Sequence, residues 1–329
     1  MAFNEFGSSK SDVNRPAVLD LFAGAGGMSL GFHNAGYHIP IAVDHNPLAV
    51  ETLEANFAHF GTRALLKDLI TFTPKELKSE AARLGINAQF DVIIGGPPCQ
   101  GWSKVGRAKL RSLRGNALSA TETDFDPRNS LYRTFLEFIR HFRPKVVVME
   151  NAPGMLSYQG RNVAEDVTKD MRLGGYSVGY QVLNAYHFGV PQHRERLFFV
   201  GIRKDLDIKF EFPEWKSPSG KRIYSDVSVS EAIGDLPKLR NGAREWVMPY
   251  EAARTLSLFA RDMRKNADHK SLFDHVCREQ NDQDVEAFRL MKQGGKYADL
   301  PSKYKRYRDD IFDDKYRRLK SNKPSWCVT

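Results

Sequence analysis

Ala17-Val-Leu-Asp-Leu-Phe22-Ala-Gly24-Ala-Gly26-Gly27 is the stretch that decides the fold. An apolar run interrupted only by Asp20 reads as a buried strand, breaks into a glycine-rich turn, and leads into a helical stretch to about Ala35. Strand, glycine turn and helix in that order open a βαβ unit. Outward from it the alternation continues. Ile39–Val43 reads as a second strand, and Pro47–Phe57 as a helix with proline in its first turn. A short strand at Ala64–Leu66 leads to Asp68, and Pro74–Leu84 is helical. Phe90–Ile94 and Lys145–Met149 are further buried strands, with a helix at about Ser130–Phe142 between them. Val178–Leu183 and Leu197–Ile202 are two more strands with no helix between them, which permits antiparallel pairing. The class is therefore α/β, with a mostly parallel sheet. Past Asp205 the alternation stops. Residues 205–320 are irregular, with helix signals at Glu251–Arg264 and Asp284–Gln293.

Composition bounds the function. The chain has 329 residues, 49 Lys plus Arg against 40 Asp plus Glu, and a net charge of +9. With 41% hydrophobic and 27% charged residues it is no disordered tail, collagen-like chain or disulfide scaffold. Apolar runs such as Val146–Met149 are too short to span a membrane. The polar, Ser-rich residues 1–15 have no apolar signal core and read as a loose arm. Cys99, Cys277 and Cys327 are too scattered for a disulfide framework or a metal cluster, so no metal site and a reduced cytoplasmic setting are expected. A pI near 9.3 favours a polyanionic partner, though weakly. Lys303–Lys323 holds nine basic and four acidic residues with tyrosines between them, which suits a solvated surface or a phosphate-contacting face equally.

Four places carry chemistry. Gly24, Gly26 and Gly27 follow the first strand, where the backbone can approach a ligand closely at a helix start. Asp44 ends the second strand, where a carboxylate can accept ribose hydroxyls, and Asp68 follows the third, within reach of an adenine amino group. Each aspartate alone is more often a cap or a loop residue. Three such features at three successive strand ends favour a nucleoside-bearing cofactor. Gly95-Gly-Pro-Pro-Cys99-Gln-Gly-Trp-Ser103 aims a cysteine from a proline-stiffened loop, a place for a nucleophile rather than for inert packing. Glu150-Asn151 ends a buried strand, where desolvation favours the protonated carboxyl; a solvated loop glutamate is the commoner alternative. In Pro191-Gln192-His193-Arg194-Glu195-Arg196 the two arginines share one side of an extended chain, which suits an anionic or carbonyl-rich ligand, or else a surface pair with Glu195.

In this order, DLFAGAGG, PPCQGWS, ENAPG and PQHRERLF resemble the DNA (cytosine-5) methyltransferase family, of the bacterial modification-methylase type, over roughly residues 17–204. The resemblance implies a Rossmann-like methyltransferase fold with an S-adenosyl-L-methionine pocket at Phe22, Gly24, Gly26, Asp44 and Asp68. His45 would flank the adenine, and Pro98 and Leu131 would line the pocket. It also implies that the Cys99 thiolate adds to carbon 6 of a flipped-out cytosine and that Glu150 protonates ring nitrogen 3. Arg196 and Arg194 would hold the base carbonyl, a phosphate or Glu150. Lys104, Arg107, Lys109, Arg111 and Arg114 are expected on DNA phosphates in a mobile loop, and Gln192 is a further expected DNA contact. The expected layout is an arm (1–15), a catalytic domain (16–204) and a smaller target-recognition region (205–329).

Family members continue past the position of Thr329 to a final Gly-Asn motif that is absent here. That implies a fragment, a split enzyme completed by a second polypeptide, or a chain that binds DNA without catalysing. The expected function is methylation of carbon 5 of cytosine in a specific duplex sequence, beside a restriction endonuclease of the same system that it need not touch. One rival is a partner-dependent DNA-binding subunit. The other is the tRNA-methylating branch, whose Cys-Phe-Thr element is missing: Cys277 stands in His-Val-Cys-Arg.

Overall fold

The computed structural model describes residues 15–98, 131–158, 160–214, 216, 226–251, 255–265, 267, 270–306 and 317–327. They fall into two compact units. One holds residues up to 183 together with 195–213; the other holds 184–194 and the residues from 214 onward.

The first unit is built on seven strands: β1 (Ala17–Leu21), β2 (His38–Asp44), β3 (Arg63–Leu66), β4 (Val92–Gly95), β5 (Val146–Asn151), β6 (Tyr176–Asn184) and β8 (Glu195–Arg203). Their order in the sheet is β3-β2-β1-β4-β5-β8-β6. The first five run parallel, and β8 runs antiparallel to β5. β2 and β4 are buried along almost their whole length, as strands covered on both faces must be. Along β1 the faces alternate. Leu19 and Leu21 pack with Ile41, Val43, Phe135 and Met149, whereas Val18 packs with Ala42, Leu53, Phe57 and Ile94 on the other side. Each such fully buried aliphatic side chain contributes about 1.5–3 kcal/mol.

The sheet grows outward in opposite directions from β1, to β2 on one side and to β4 on the other. That reversal is the switch point where open α/β sheets bind ligands. Register sharpens it: Leu21 lies level with Val43 and Gly95, and Gly95 with Met149. Four strands therefore deliver their following residues to one edge at one height.

Helices α1 (Gly27–Asn34), α2 (Pro47–Phe57), α3 (Pro74–Arg83) and α4 (Leu131–Phe142) fall where the sequence predicts them. Asn46 caps α2 through its side chain, and Thr73 with Glu76 forms a capping box on α3. A fifth helix, α5 (Val163–Leu173), was not anticipated. Asn162 caps it at the Ala164 N–H, Glu165 and Asp166 sit in its first turn, and Val167 and Met171 are buried.

In the second unit, β7 (Gln192–His193) pairs in parallel with β11 (Ser325–Trp326), and β9 (Val247–Pro249) pairs antiparallel with β10 (Ser271–Phe273). Its helices are α6 (Val229–Ile233), α7 (Leu258–Met263) and α8 (Asp282–Leu290). The helix expected from Glu251 begins only at Leu258, because the Ser257 hydroxyl accepts from the Ala260 N–H and caps it there. The helix expected to reach Gln293 stops at Leu290, where Met291 turns to extended backbone. In the basic stretch, the Arg306 guanidinium pairs with Asp284 and the Arg318 side chain donates to the Met291 carbonyl. Part of that charge therefore serves the unit's own structure; residues 307–316 lie outside the described residues. Among the described residues no helix is long and apolar enough to cross a membrane.

Candidate active site

The turn after β1 is shaped by three left-handed residues, Phe22 (φ 56°), Gly24 (φ 56°) and Gly26 (φ 89°). A phenylalanine rarely adopts that conformation, and strain of this kind concentrates at functional sites. The turn is fixed to β2 twice: the Ala23 N–H donates to the Val43 carbonyl (3.0 Å) and the Gly24 N–H to Asp44 Oδ2 (2.8 Å). Gly26 is required by space as well as by angle, since a Cβ there would lie 2.7 Å from both Leu53 and Phe57.

Asp44 is buried, and its Oδ1 accepts from the Asn46 N–H (2.9 Å). It thus fills the structural role of a turn anchor, yet each oxygen keeps a second lone pair for a ligand hydroxyl. His45 stands beside it, two-thirds exposed, with Nδ1 3.5 Å from Asp44 Oδ1. Asp68 is exposed and closes a turn by accepting from the Ile70 N–H (2.9 Å). Phe22 and Pro98 are partly buried, and Leu131 is buried at the start of α4.

Asp20, within the strand that leads into the glycine-rich turn, is fully buried. Its Oδ2 accepts the Ser29 hydroxyl at 2.6 Å, and its Oδ1 has no hydrogen-bond partner. Burial pushes its carboxyl up to about 7 despite the Ser29 bonds, with Asp44 adding a smaller repulsion. α1 itself starts at Gly26 with no side-chain cap. An orphaned carboxyl oxygen on β1, open space around Gly24 and the buried Asp44 carboxylate fit a ligand with cationic and hydroxyl-bearing parts.

At the end of β5, Glu150 Oε1 meets Arg196 Nε at 2.7 Å, each side chain about a quarter exposed. The strand-end argument expected a desolvated carboxyl here; the side chain is instead about a quarter exposed, with a guanidinium against it. Arg196 does not pair with Glu195, whose backbone carbonyl accepts from its Nη1. Asn151 is buried and donates to the Pro97 carbonyl (3.1 Å), stitching β5 to the loop that leads to Cys99. Neighbouring Gly96 is confined by Glu150, whose Oε2 would lie 3.3 Å from a Cβ there.

Arg194 does not share that arrangement. In the second unit its N–H donates to Asn184 Oδ1 (3.1 Å) and its guanidinium to Cys327 Sγ (3.3 Å). Gln192 pairs with Ser325 in the β7–β11 ladder. Cys99, Lys104, Arg107, Lys109, Arg111 and Arg114 lie outside the described residues.

Residues 17–324 match the family model of the C-5 cytosine-specific DNA methylases. This chain belongs to that family. Its members transfer a methyl group to carbon 5 of cytosine in DNA, and their cofactor is S-adenosyl-L-methionine. The methylase is 34% identical over 311 residues to the type II methyltransferase M1.HphI of Haemophilus parahaemolyticus, a match covering 94% of this chain and 70% of that protein. It is 34% identical to M.DdeI of Desulfomicrobium norvegicum (84% of this chain, 61% of that one) and 35% identical to M.AquIA of Picosynechococcus sp. (67% and 88%). Against several of these relatives the methylase spans between half and seven-tenths of their length. A crystal structure of a candidate DNA modification methyltransferase from an E. coli prophage shares the fold, with a TM-score of 0.67 and 21% identity over 94% of this chain and 81% of that one.

Proposed function

We propose that the methylase modifies carbon 5 of a flipped-out cytosine in a specific duplex sequence, as the modification partner of a type II restriction system. The observation that carries this reading is the ion pair of Glu150 with Arg196, tied through Asn151 and Pro97 to the loop leading to Cys99. The glycine-rich turn lies at the same sheet edge.

Gly24, Gly26, Asp44, His45 and Asp68, with Phe22, Pro98 and Leu131, are the residues that would hold S-adenosyl-L-methionine. When bound, that cofactor supplies an electrophilic methyl group. The Cys99 thiolate adds to carbon 6 of the base, forming a carbon–sulfur bond and making carbon 5 nucleophilic. Glu150 shares a proton with ring nitrogen 3 as the thiolate adds. Arg196 orients that carboxyl and stabilises the carboxylate left behind, so the proton passes more readily to the base. Once carbon 5 carries the methyl it loses its proton to a base, the carbon–sulfur bond breaks to release Cys99, and nitrogen 3 returns its proton to the Glu150 carboxylate. Arg194, Gln192 and the loop cations from Lys104 to Arg114 serve the DNA backbone. Residues 16–204 are the catalytic part and 205–329 the recognition part of this scheme. The naming of the relatives as type II methyltransferases supports a cognate endonuclease and a bacterial cytoplasm as the setting.

The test is transfer of tritiated methyl from S-adenosyl-L-methionine to unmethylated genomic DNA, with Cys99→Ser alongside. Label that vanishes in the variant is expected, and would mean that no second polypeptide is needed. Label that persists in Cys99→Ser overturns the nucleophile. If the chain alone gives no label, neither with a second polypeptide nor in an oligomer, the catalytic reading fails and the DNA-binding alternative takes its place.

A further inference from the structure

The sheet edge opposite the glycine-rich turn frames a cleft of about 710 Å³. Ala17 opens β1 and His38 opens β2, Asp91 and Lys145 stand just before β4 and β5, and Arg203 ends the antiparallel β8. All five line the cleft, together with the loop 85–90 and with Phe142 and Arg143, where α4 ends. Its volume is that of a small-molecule site.

The walls are braced. Asp91 Oδ2 accepts from the Ala17 N–H (3.0 Å) and its Oδ1 from Lys145 Nζ (2.7 Å). Arg203 grips Asp205 through Nε (2.6 Å) and Nη2 (3.0 Å), and its Nη1 donates to the Arg143 carbonyl (2.7 Å). Arg143 is held there in a left-handed conformation (φ 48°), a strain that concentrates at ligand clamps and other functional sites. Among the described residues no carboxylate pairs with its guanidinium.

The lining chemistry identifies the ligand. Arg15, Arg143, Lys145 and Arg203 line the cleft against one carboxylate, Asp91. Lys145 keeps further N–H donors beyond the one given to Asp91. An excess of cations with arginine among them suits phosphate groups. Ile86 and the half-buried Phe142 add an apolar wall, and the Phe142 ring is braced edge-on by Phe90 at 5.2 Å between centres. A ring fixed in this way can stack on a base. Asn87 and Gln89, both exposed, line the same cleft, and their carboxamides can donate to and accept from a base edge. Phosphates, a planar heterocycle and base-edge groups together describe a nucleotide.

We propose that this cleft binds a free nucleotide, with its phosphates on Arg143 and Lys145 and its base against Phe142 and the carboxamides of Asn87 and Gln89. The cleft lies at the other ends of the strands from the glycine-rich turn and Glu150, so the assignment does not depend on the methylation scheme. The test is equilibrium dialysis of radiolabelled ATP against the full chain, with saturating S-adenosyl-L-methionine present to fill an adenine pocket at the opposite edge. Saturable binding of one ATP per chain is expected. Arg143→Gln should weaken it about tenfold or more. Lys78→Gln removes an exposed charge on α3 that does not line the cleft, and should leave it unchanged. Tripolyphosphate, which has no base, should bind about tenfold or more weakly than ATP, and Asn87→Ala should narrow that gap. A circular-dichroism melt of each variant checks that it is folded; if Arg143→Gln is not, Lys145→Gln serves for the same comparison. Absence of saturable ATP binding overturns the assignment. So does equal binding by the wild type and a folded Arg143→Gln or Lys145→Gln, or tripolyphosphate bound as tightly as ATP. Displacement of ATP by poly(dA·dT), a duplex without cytosine, would give these cations to a DNA backbone and overturn it as well.

Discussion

Asp20 holds the sharpest residue-scale consequence. Its carboxyl is raised from 3.8 to about 7, so the folded chain keeps a proton that the unfolded chain has already released. Between about pH 4 and 7 the native state binds more protons, and stability must fall as pH rises through that window, by up to about 4 kcal/mol. Denaturant midpoints at pH 5 and pH 8 should show that drop in the wild type and a flatter profile in Asp20→Asn. Equal slopes would mean that Asp20 does not titrate as described. Glu150→Gln keeps the size of the side chain but cannot pass on a proton, so kcat should fall roughly a hundredfold or more with little change in cofactor affinity. The positions of Asp44, Asp68 and Glu150 were legible in the sequence because each stands at or just past the end of a recognisable strand. The burial of Asp20 and the bond from Asn151 to Pro97 were not, because sequence order shows neighbours along the chain and not across a sheet.

At the scale of elements, the glycine-rich turn and the start of α1 are fixed by one position. Gly26→Ala would force a methyl against Leu53 and Phe57 from a left-handed backbone. The expected loss is about 2–4 kcal/mol, read as a lower denaturation midpoint. An unchanged midpoint would show that α2 can move aside. Elements with strong punctuation were readable: α2 and α3 carry a proline at the start and a side-chain cap. α5 carries comparable signals in Asn162, Glu165 and Asp166, but has no proline in its first turn to mark where it starts. The overextended helix before Met263 failed for a physical reason. Periodicity alone does not show that Ser257 competes for the backbone N–H groups of the next turn.

For the whole molecule, charge decides how it meets DNA. With a net +9, binding should weaken steeply with added salt. Replacing Lys104, Arg107, Lys109, Arg111 and Arg114 together by glutamine should reduce the slope of log affinity against log salt by several units. A slope equal to that of the wild type would remove this segment from the DNA interface. The parallel core of the sheet follows from buried strands separated by helices, and was expected on that ground. The composition of the two units was not open to such reading. Residues 184–194 interrupt the first unit and pair with Ser325–Trp326, a partnership of two-residue strands with no periodic signature.

The position of β8 also bears on when the chain becomes competent. It is the last strand of the large sheet to leave the ribosome, yet its place is between β5 and β6, both made earlier. Until it inserts, Glu150 has no Arg196 beside it. A nascent or half-folded chain therefore carries its glycine turn and its acid before Glu150 gains the guanidinium that pairs with it.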